Sequence, residues 1–173
     1  MTASTLSSQD PLAALAERCL ASLIRNTGAL GIQAEGARRE SFLRHFGRMA
    51  EQAGFITMRV NVGVVDPEFV LKDALKKAAF FAGIDARTME VMDVDDLFDW
   101  LNGSSPRRVL LVLDNADALT RVRLLPFAQQ LKQRLSMNRR GLRYLLVGGK
   151  VGMNDLIGTP QRPFHMFAQL IPA

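Results

Sequence analysis

The segment that most constrains the fold is the apolar run Val109-Leu110-Leu111-Val112-Leu113, which ends in Asp114. A strand without polar side chains on either face has to be buried on both faces. Such strands are typical of the middle of a parallel sheet that helices cover on both sides. A second run of this kind occupies residues 142–147. The chain therefore has to supply helices for two faces of one sheet.

Helix-like and strand-like segments alternate along the rest of the chain. Apolar side chains at helical spacing predict helices over about 10–25, 40–52, 67–81, 94–101 and 124–137. Strands are predicted at 29–33, 55–62, 109–113 and 142–147. Residues 148–163 are predicted to be rich in loops, and residues 164–170 to be helical. Strands separated by helices indicate an α/β fold, a three-layer α/β/α sandwich around a mainly parallel five-stranded sheet.

Composition limits the class of protein. The chain has 173 residues, of which 48% are hydrophobic and 23% charged, and this suits one globular domain over 10–173 after a flexible tail at 1–9. Cys19 is the only cysteine, and the two histidines, His45 and His165, are far apart, so neither disulfides nor a zinc site are expected. Because the chain shows no secretory signal and no apolar stretch of ~20 residues, we expect a cytoplasmic protein without membrane insertion.

The charge is divided unevenly along the chain. Residues 1–99 contain 11 basic and 14 acidic side chains, whereas residues 100–173 contain 11 basic side chains and only Asp114, Asp117 and Asp155. The first part is acidic over 85–99, and the second part is strongly basic. A basic half can face nucleic acid or an acidic partner, or it can decorate solvated helices.

Asp114 is the first residue that suggests chemistry. It closes an apolar strand at its carboxyl end, which is where P-loop NTPases hold the magnesium ion of a bound nucleotide. The carboxyl edge of a parallel sheet is also the usual ligand crevice of such folds. An apolar strand that ends in aspartate is weak evidence by itself, because the same residue often serves solubility or caps the next helix.

A second pattern lies between Gly28 and Leu43, in a strand–turn–helix context that suits a phosphate-binding loop. Such a loop needs two glycines for close backbone approach, a lysine for the phosphate charge and a hydroxyl for magnesium. If Ser41 takes the hydroxyl position, Ala34 and Arg39 stand at the two glycines and Glu40 stands at the lysine.

A different register keeps both glycines of the phosphate-binding loop. Gly31 and Gly36 then take their positions, but Ala37 and Arg38 stand at the lysine and the hydroxyl, and the strand is shortened. We favour the first register, because Ser41-Phe42-Leu43-Arg44 then opens the following helix.

Taken together, residues of about 10–171 resemble the core of a P-loop ATPase of the AAA+ or STAND type. The resemblance rests on the degraded Walker A loop at 34–41, the Walker B-like strand that ends in Asp114, the strand at 142–147 in the place of the sensor strand, and the loop 159–164 before the last core strand. It implies a RecA-like core and nucleotide-site positions at Ala34, Gly36, Arg38, Arg39, Glu40, Ser41 and Asp114, whereas we expect no residues for the family's lid domain. Asp114 and Ser41 would hold magnesium only if a Mg-nucleotide binds.

The chain departs from this family's pattern at the positions that carry the chemistry. Glu40 puts a negative charge where a triphosphate needs a lysine, and at a few ångströms this repulsion costs ~1–4 kcal/mol. Asn115 follows Asp114 where a catalytic acid is expected, and an amide cannot take a proton from water. Asp117 is a weak substitute, since we expect it to cap the following helix.

Other charged residues are candidates for replacing the lost groups. Arg38, Arg39 and Lys150 are the side chains that could supply positive charge to a phosphate, although arginines in a turn are usually only solvated. Arg162 stands where the resemblance places an arginine finger, although a surface arginine in a loop explains it more simply.

The sequence therefore predicts a non-hydrolysing, pseudo-ATPase domain without a cofactor, which acts as a protein-interaction, regulatory or assembly subunit. One alternative is a working or slow ATPase that binds ATP and Mg through an atypical loop. Another is an adaptor that binds nucleic acid through the basic half, residues 107–162. We also expect a protein partner or a homo-oligomer, because the sheet edge lacks a lid and the segments 85–99 and 107–162 carry opposite charges.

Overall fold

The computed structural model describes residues 11–25, 29–137, 141–165 and 168–172 of the chain. Its helices are α1 (Pro11–Arg25), α2 (Gly36–Gln52), α3 (Pro67–Phe81), α4 (Ala86–Glu90), α5 (Val94–Gly103), α6 (Leu125–Ser136) and α7 (Lys150–Ile157). Its strands are β1 (Ala29–Gln33), β2 (Ile56–Asn61), β3 (Val109–Asp114), β4 (Leu142–Gly148) and β5 (Ala168–Pro172). Two 3₁₀ turns, Ala116–Thr120 and Val122–Leu124, connect β3 to α6.

The five strands form one parallel sheet in the order β2-β3-β4-β1-β5. The two apolar runs of the sequence are neighbours in its interior, with every residue of β3 and β4 buried. All carboxyl ends of the strands meet at one edge of the sheet, which we call the carboxyl edge, and the opposite edge is the amino edge. The α/β class and the five-stranded parallel sheet predicted from the sequence are confirmed.

Helices cover both faces of the sheet and define two cores. On one face, α1 and α2 pack their apolar sides against β-strand residues such as Leu110, Leu145 and Val147. On the other face, α3, α5, α6 and α7 pack against residues such as Leu111, Leu113 and Leu146. Successive residues of one strand point to opposite faces, which is why both apolar runs contribute to both cores.

The structure corrects the sequence prediction in two places near the end of the chain. The segment predicted to be loop-rich contains α7, whose Met153, Leu156 and Ile157 are buried on one side at helical spacing. The segment predicted to be helical contains β5, which pairs with β1 from Ala168 onward. Pairing with a strand about 140 residues earlier in the chain overrides the local helical spacing there.

A third correction concerns the start of α2. This helix was expected to begin near Glu40, but it begins at Gly36. The predicted tail at 1–9 lies outside the described residues. Among the described residues, no helix combines the length and apolar character that crossing a bilayer requires.

Candidate functional site

The candidate site lies at the carboxyl edge, where the chain leaves β1 and β4. These strands are neighbours, and the helices that follow them, α2 and α7, lie on opposite faces of the sheet. Parallel α/β sheets bind their ligands at such a topological switch point. Asp114 ends β3 beside this point, in register with Asn61 of β2 and Val147 of β4.

Arg59 of β2 is the main partner of Asp114. Its Nε and Nη2 donate to Oδ2 of Asp114 at 3.0 and 2.5 Å. The same guanidinium donates to both carboxylate oxygens of Glu40, at 2.6 and 3.1 Å. Arg59 therefore joins two carboxylates from β3 and α2 into one charge network. The hydrogen bonds from Arg59 hold the pKa of Glu40 below its usual value, and those to Glu40 raise the pKa of Arg59.

Arg39 brings a second positive charge to Asp114. Its Nε lies 3.6 Å from Oδ1 of Asp114, and its Nη1 donates to Oδ1 of Asn115 at 2.7 Å. The Asn115 side chain in turn donates to Asn61 at 2.9 Å. Asn115 has φ +55, a left-handed conformation that asparagine tolerates better than most residues. Asn115, which follows Asp114 where a catalytic acid was expected, thus connects β2 and α2 to the end of β3 through its side-chain hydrogen bonds.

The connection from β1 to α2 is too short to be a phosphate-binding loop in the favoured register. Only Ala34 and Glu35 separate the two elements, and Gly36, with φ +53, turns the chain directly into the helix. The reason is local, since Ala37, Arg38, Arg39 and Glu40 favour a helix and none of them is a glycine that would keep the loop open. Glu40 and Ser41 therefore lie within α2 rather than at its start.

The alternative register also meets an obstacle in the structure. Gly31 lies within β1 and packs against α7, where an added Cβ would be 2.5 Å from Cδ1 of Ile157 and 3.2 Å from Cε of Met153. The close approach at Gly31 is therefore an approach of α7 to the sheet. Close packing of the helix explains this glycine without a phosphate.

Glu35 closes the crevice between β1 and β4. Its Oε1 accepts a hydrogen bond from the backbone N–H of Lys150 at 2.9 Å, at the first turn of α7. One step earlier, the N–H of Ala34 donates to the carbonyl of Gly148 at 3.0 Å and extends the β1–β4 ladder. A carboxylate of the protein thus uses a helix N-terminal N–H group, the kind of donor that binds phosphates in nucleotide sites.

Asp117 is oriented differently from the expectation. It does not cap a helix, because Asn115 and Leu124 occupy the positions before the first 3₁₀ turn and before α6. The Asp117 carboxylate instead packs against Gly148 and Gly152, and its buried Oδ1 has no hydrogen-bond partner among the described residues. Glycine is needed there because a Cβ at Gly148 would overlap that carboxylate.

The remaining predicted positions do not join this network. The side chains of Ser41, Arg38 and Lys150 are exposed, and none makes a hydrogen bond or ion pair with another described residue. Arg162 pairs with Asp155 of α7 at 3.0 Å. Within the described ranges, no group of three or more His, Cys, Asp or Glu side chains is arranged to hold a metal ion.

The sequence analysis missed the two residues that close this edge, Arg59 and Glu35. Arg59 is an exposed position of β2, and no motif distinguishes it from a solvated arginine. Its partners are 19 and 55 residues away, so only the sheet register brings the three side chains together. Glu35 lies within the quoted loop segment, but its partner Lys150 is 115 residues away.

Comparison with known proteins supports the fold but does not identify the chemistry of the site. No family model matches the chain, and no curated protein matches it in sequence. Several solved structures are similar in fold, including the following three. The ORC1 protein of Aeropyrum pernix in complex with DNA is 16% identical, with TM-score 0.55 over 93% of this chain and 44% of that one.

The second similar structure is a Walker-type ATPase of Pyrococcus abyssi, 15% identical, with TM-score 0.59 over 91% of this chain and 52% of that one. The third is Drosophila ORC bound to poly(dA/dT) DNA and Cdc6, 14% identical, with TM-score 0.55 over 94% of this chain and 28% of that one. The chain spans about half or less of the length of each. It has the fold of an AAA+ P-loop ATPase core, as the sequence resemblance implied.

Proposed function

We propose that this chain is a pseudo-ATPase domain, an AAA+-like core that serves as a protein-interaction, regulatory or assembly subunit and does not hydrolyse ATP. The observation that carries the proposal is the position of Arg59 between Asp114 and Glu40. Magnesium in a nucleotide site needs carboxylate or hydroxyl oxygens that are open to it. Here the guanidinium of Arg59 already holds the oxygen that would be offered.

The charges around Asp114 oppose a divalent cation. Arg59 and Arg39 approach its two carboxylate oxygens from different elements, β2 and α2. The Asp114 side chain is only 4% exposed, so water screens these interactions less than it would at the surface. A magnesium ion would have to displace Arg59, whose side chain is 45% exposed. This displacement is what the slow-ATPase alternative requires.

The phosphate side of a nucleotide site is also poorly provided. The two-residue connection before α2 offers no glycine-rich cradle, and Glu35 in that connection is held by the backbone N–H of Lys150. ATP would have to displace Arg59 from Asp114 and would meet the negative charge of Glu40.

An interaction role agrees with the surface of α3. Phe69, Phe80 and Phe81 of this helix are 59–70% exposed, and large exposed aromatic side chains are typical of surfaces that bind other proteins. The partner is a different protein or a second copy of this chain. Two of the similar structures are of ORC proteins with DNA, one of them also with Cdc6, and this favours nucleic-acid binding as a second role.

The acidic segment 85–99 contributes less to such association than its charge suggests. Asp85 and Asp93 cap α4 and α5, Asp96 completes a capping box with Asp93, and Asp95 bonds Arg134. These carboxylates are therefore used within the molecule. They offer less support for pairing of segment 85–99 with the basic half of another copy. Association with a partner or a second copy remains part of the proposal.

Calorimetry with Mg-ATP tests the proposal directly. We expect no heat of binding in the micromolar range and no hydrolysis above background. Replacing Arg59 by alanine should leave Asp114 and Glu40 as two neighbouring carboxylates, so R59A should bind Mn²⁺ more tightly than the unchanged protein by at least about tenfold, or about 1.4 kcal/mol. R121A, which removes an exposed arginine whose side chain makes no hydrogen bond or ion pair with the described residues, is the matched control.

Two outcomes would contradict the pseudo-ATPase proposal. The first is micromolar binding of Mg-ATP, or turnover that D114A abolishes. The second is Mn²⁺ binding by the unchanged protein that equals that of R59A, because Arg59 would then not occupy the metal position.

A further inference from the structure

Among the described residues, four arginines from three different parts of the chain lie at the amino edge of the sheet. Arg107 and Arg108 directly precede β3, and Arg143 is the second residue of the neighbouring strand β4. Arg25 ends α1, and the Nε of Arg143 donates to the carbonyl of Leu23 in the last turn of that helix, at 2.8 Å. We call Arg25, Arg107, Arg108 and Arg143 the amino-edge cluster.

Within the amino-edge cluster, the charges of Arg108 and Arg143 lie close enough to interact, and Arg143 contacts the end of α1. Arg143 is paired with Leu110, so Arg108, two residues before Leu110, points to the same face of the sheet. Burial lowers the pKa of Arg143, and the charge of Arg108 lowers it further. Arg108 itself lies over the Phe55 ring, with its guanidinium carbon 4.6 Å from the centroid, and this contact fixes its direction.

Carboxylates balance other arginines of the basic half. Arg134 pairs with Glu68 and Asp95, and Arg162 pairs with Asp155. In the part of the chain that the structure describes, no carboxylate forms an ion pair with Arg25, Arg107 or Arg108. Arg25 donates only to the carbonyl of Ala21 in its own helix, and the Arg107 side chain is exposed without a partner among the described residues.

We propose that the amino-edge cluster binds the phosphodiester backbone of nucleic acid. Guanidinium groups match the geometry of phosphate oxygens and keep their charge at any physiological pH. An acidic protein would also need apolar anchors, but among the described residues adjacent to the cluster in sequence only Ile24 is a large, exposed apolar side chain. Backbone contacts carry no base information, so the binding is independent of sequence.

The location separates this proposal from the function proposed above. The cluster lies at the starts of β3 and β4, whereas Asp114 and Glu35 lie at the ends of the strands or beyond them. Binding at the amino edge is therefore independent of whether a nucleotide is bound at the carboxyl edge. The basic half 107–162 is also not one surface, because Arg121, Arg123 and Lys150 follow strands β3 and β4 at the carboxyl edge.

Fluorescence anisotropy with a labelled duplex of about 20 base pairs and arbitrary sequence tests the proposal. Three phosphate contacts by Arg25, Arg107 and Arg108 predict that the logarithm of the affinity falls with the logarithm of salt concentration with a slope of about −3. The variant R25A/R107A changes two exposed side chains. It should weaken binding by about tenfold at low salt and reduce the slope by about 2.

The matched control is R121A/R123A, which removes the same charge from the carboxyl edge and should leave affinity within about twofold. Thermal melting of both variants should match the unchanged protein, because neither pair makes an ion pair in the described structure. Equal weakening by both variants would overturn the proposal, since it would indicate attraction to overall charge and not a site.

Two further results would also overturn the proposal. One is the absence of any anisotropy change at about 50 mM salt, where phosphate contacts are strongest. The other is competition by poly-glutamate at the same charge concentration that equals or exceeds competition by unlabelled duplex, which would assign the surface to an acidic protein. Neither result bears on Mg-ATP or Mn²⁺ binding, so failure here and failure of the pseudo-ATPase proposal can be told apart.

Discussion

The two edges of the sheet are closed in different ways. At the carboxyl edge, side-chain charges meet one another, with Arg59 between Asp114 and Glu40 and with Glu35 on the backbone of Lys150. At the amino edge, backbone atoms meet one another. Gly141 donates from its N–H to the carbonyl of Asn102 at 3.2 Å and accepts from Val109 at 2.8 Å.

This difference matters for what each edge can bind. The carboxyl edge is where P-loop proteins bind nucleotides, but here its central charges are already used within the molecule. The amino edge is usually structural, but here Arg25, Arg107 and Arg108 form no ion pair with a carboxylate of the described residues. The fold is that of an ATPase core, and the amino-edge cluster lies at the other end of the sheet from the usual nucleotide site.

The largest effect should come from filling the backbone contact at the amino edge. An added Cβ at Gly141 would fall on the carbonyl oxygen of Leu101 and within 2.8 Å of its carbonyl carbon, both backbone atoms of α5. Since backbone cannot turn aside as a side chain can, Gly141→Ala should reduce the free energy of unfolding by about 3 kcal/mol or more. Urea unfolding measures this value.

Gly→Ala changes at two other positions serve as references for the effect of Gly141→Ala on the free energy of unfolding. Gly148→Ala, at the other end of β4, would press on the Asp117 side chain and come 2.8 Å from its backbone N, so we expect a smaller loss of about 1–3 kcal/mol. Gly47→Ala lies within α2 with nothing near the added Cβ, and it should be neutral or stabilising by up to about 1 kcal/mol. If Gly141→Ala matched Gly47→Ala, the amino edge would not be closed by backbone contact.

The next largest effect should come from removing the central carboxylate of the carboxyl edge. Asp114→Ala leaves Arg59 and Arg39 without their shared partner, and we expect a loss of about 2–3 kcal/mol, reduced from the cost at a fully buried pair because both arginines reach solvent. In an open magnesium site without metal, the same carboxylate has no cation partner and its removal should cost little.

Arg107→Ala is the matched change at the amino edge. It removes an exposed charge without an ion pair among the described residues, so the free energy of unfolding should change by no more than about 0.5 kcal/mol. Equal losses for Asp114→Ala and Arg107→Ala in the same urea titration would remove the distinction between a paired and an unpaired edge.

The sequence predicts the centre of this fold better than its ends. The apolar runs of β3 and β4 have no solvent-facing side, so their composition alone predicts that they lie in the interior of the sheet. The strand β5 has no such run, and it forms because β1 offers it a pairing edge. The helix α7 was missed because Gly152 and Asn154 lower its intrinsic preference, while Met153 and Ile157 pack against the core.

The site shows the same limit for a different reason. The position of Asp114 at the carboxyl edge could be predicted, because strand direction and register follow from the pattern of βαβ units. Arg59 could not be predicted as the partner of Asp114. Its sequence position does not indicate which carboxylate it contacts until β2 is aligned with β3. The start of α2 is in principle readable, since the residues from Ala37 to Glu40 are helix formers.

The smallest effect, and the most specific, concerns the pH dependence of stability at the carboxyl edge. Hydrogen bonds from Arg59 lower the pKa of Glu40 in the folded protein from its ordinary value of 4.5. A group whose pKa is lower in the folded state stabilises the protein above its ordinary pKa, and the contribution is lost as pH falls through the folded-state value. Glu40→Gln should therefore flatten the fall in melting temperature below about pH 4.5 and change little at pH 7 beyond the loss of one screened, exposed pair. Glu51→Gln, on the same helix and without an arginine partner among the described residues, is the control. If the melting temperatures of the two variants fell equally at acid pH, the contact between Glu40 and Arg59 would not contribute to stability. Asp114 would then be the carboxylate that binds Arg59, and the charge network would not extend to α2.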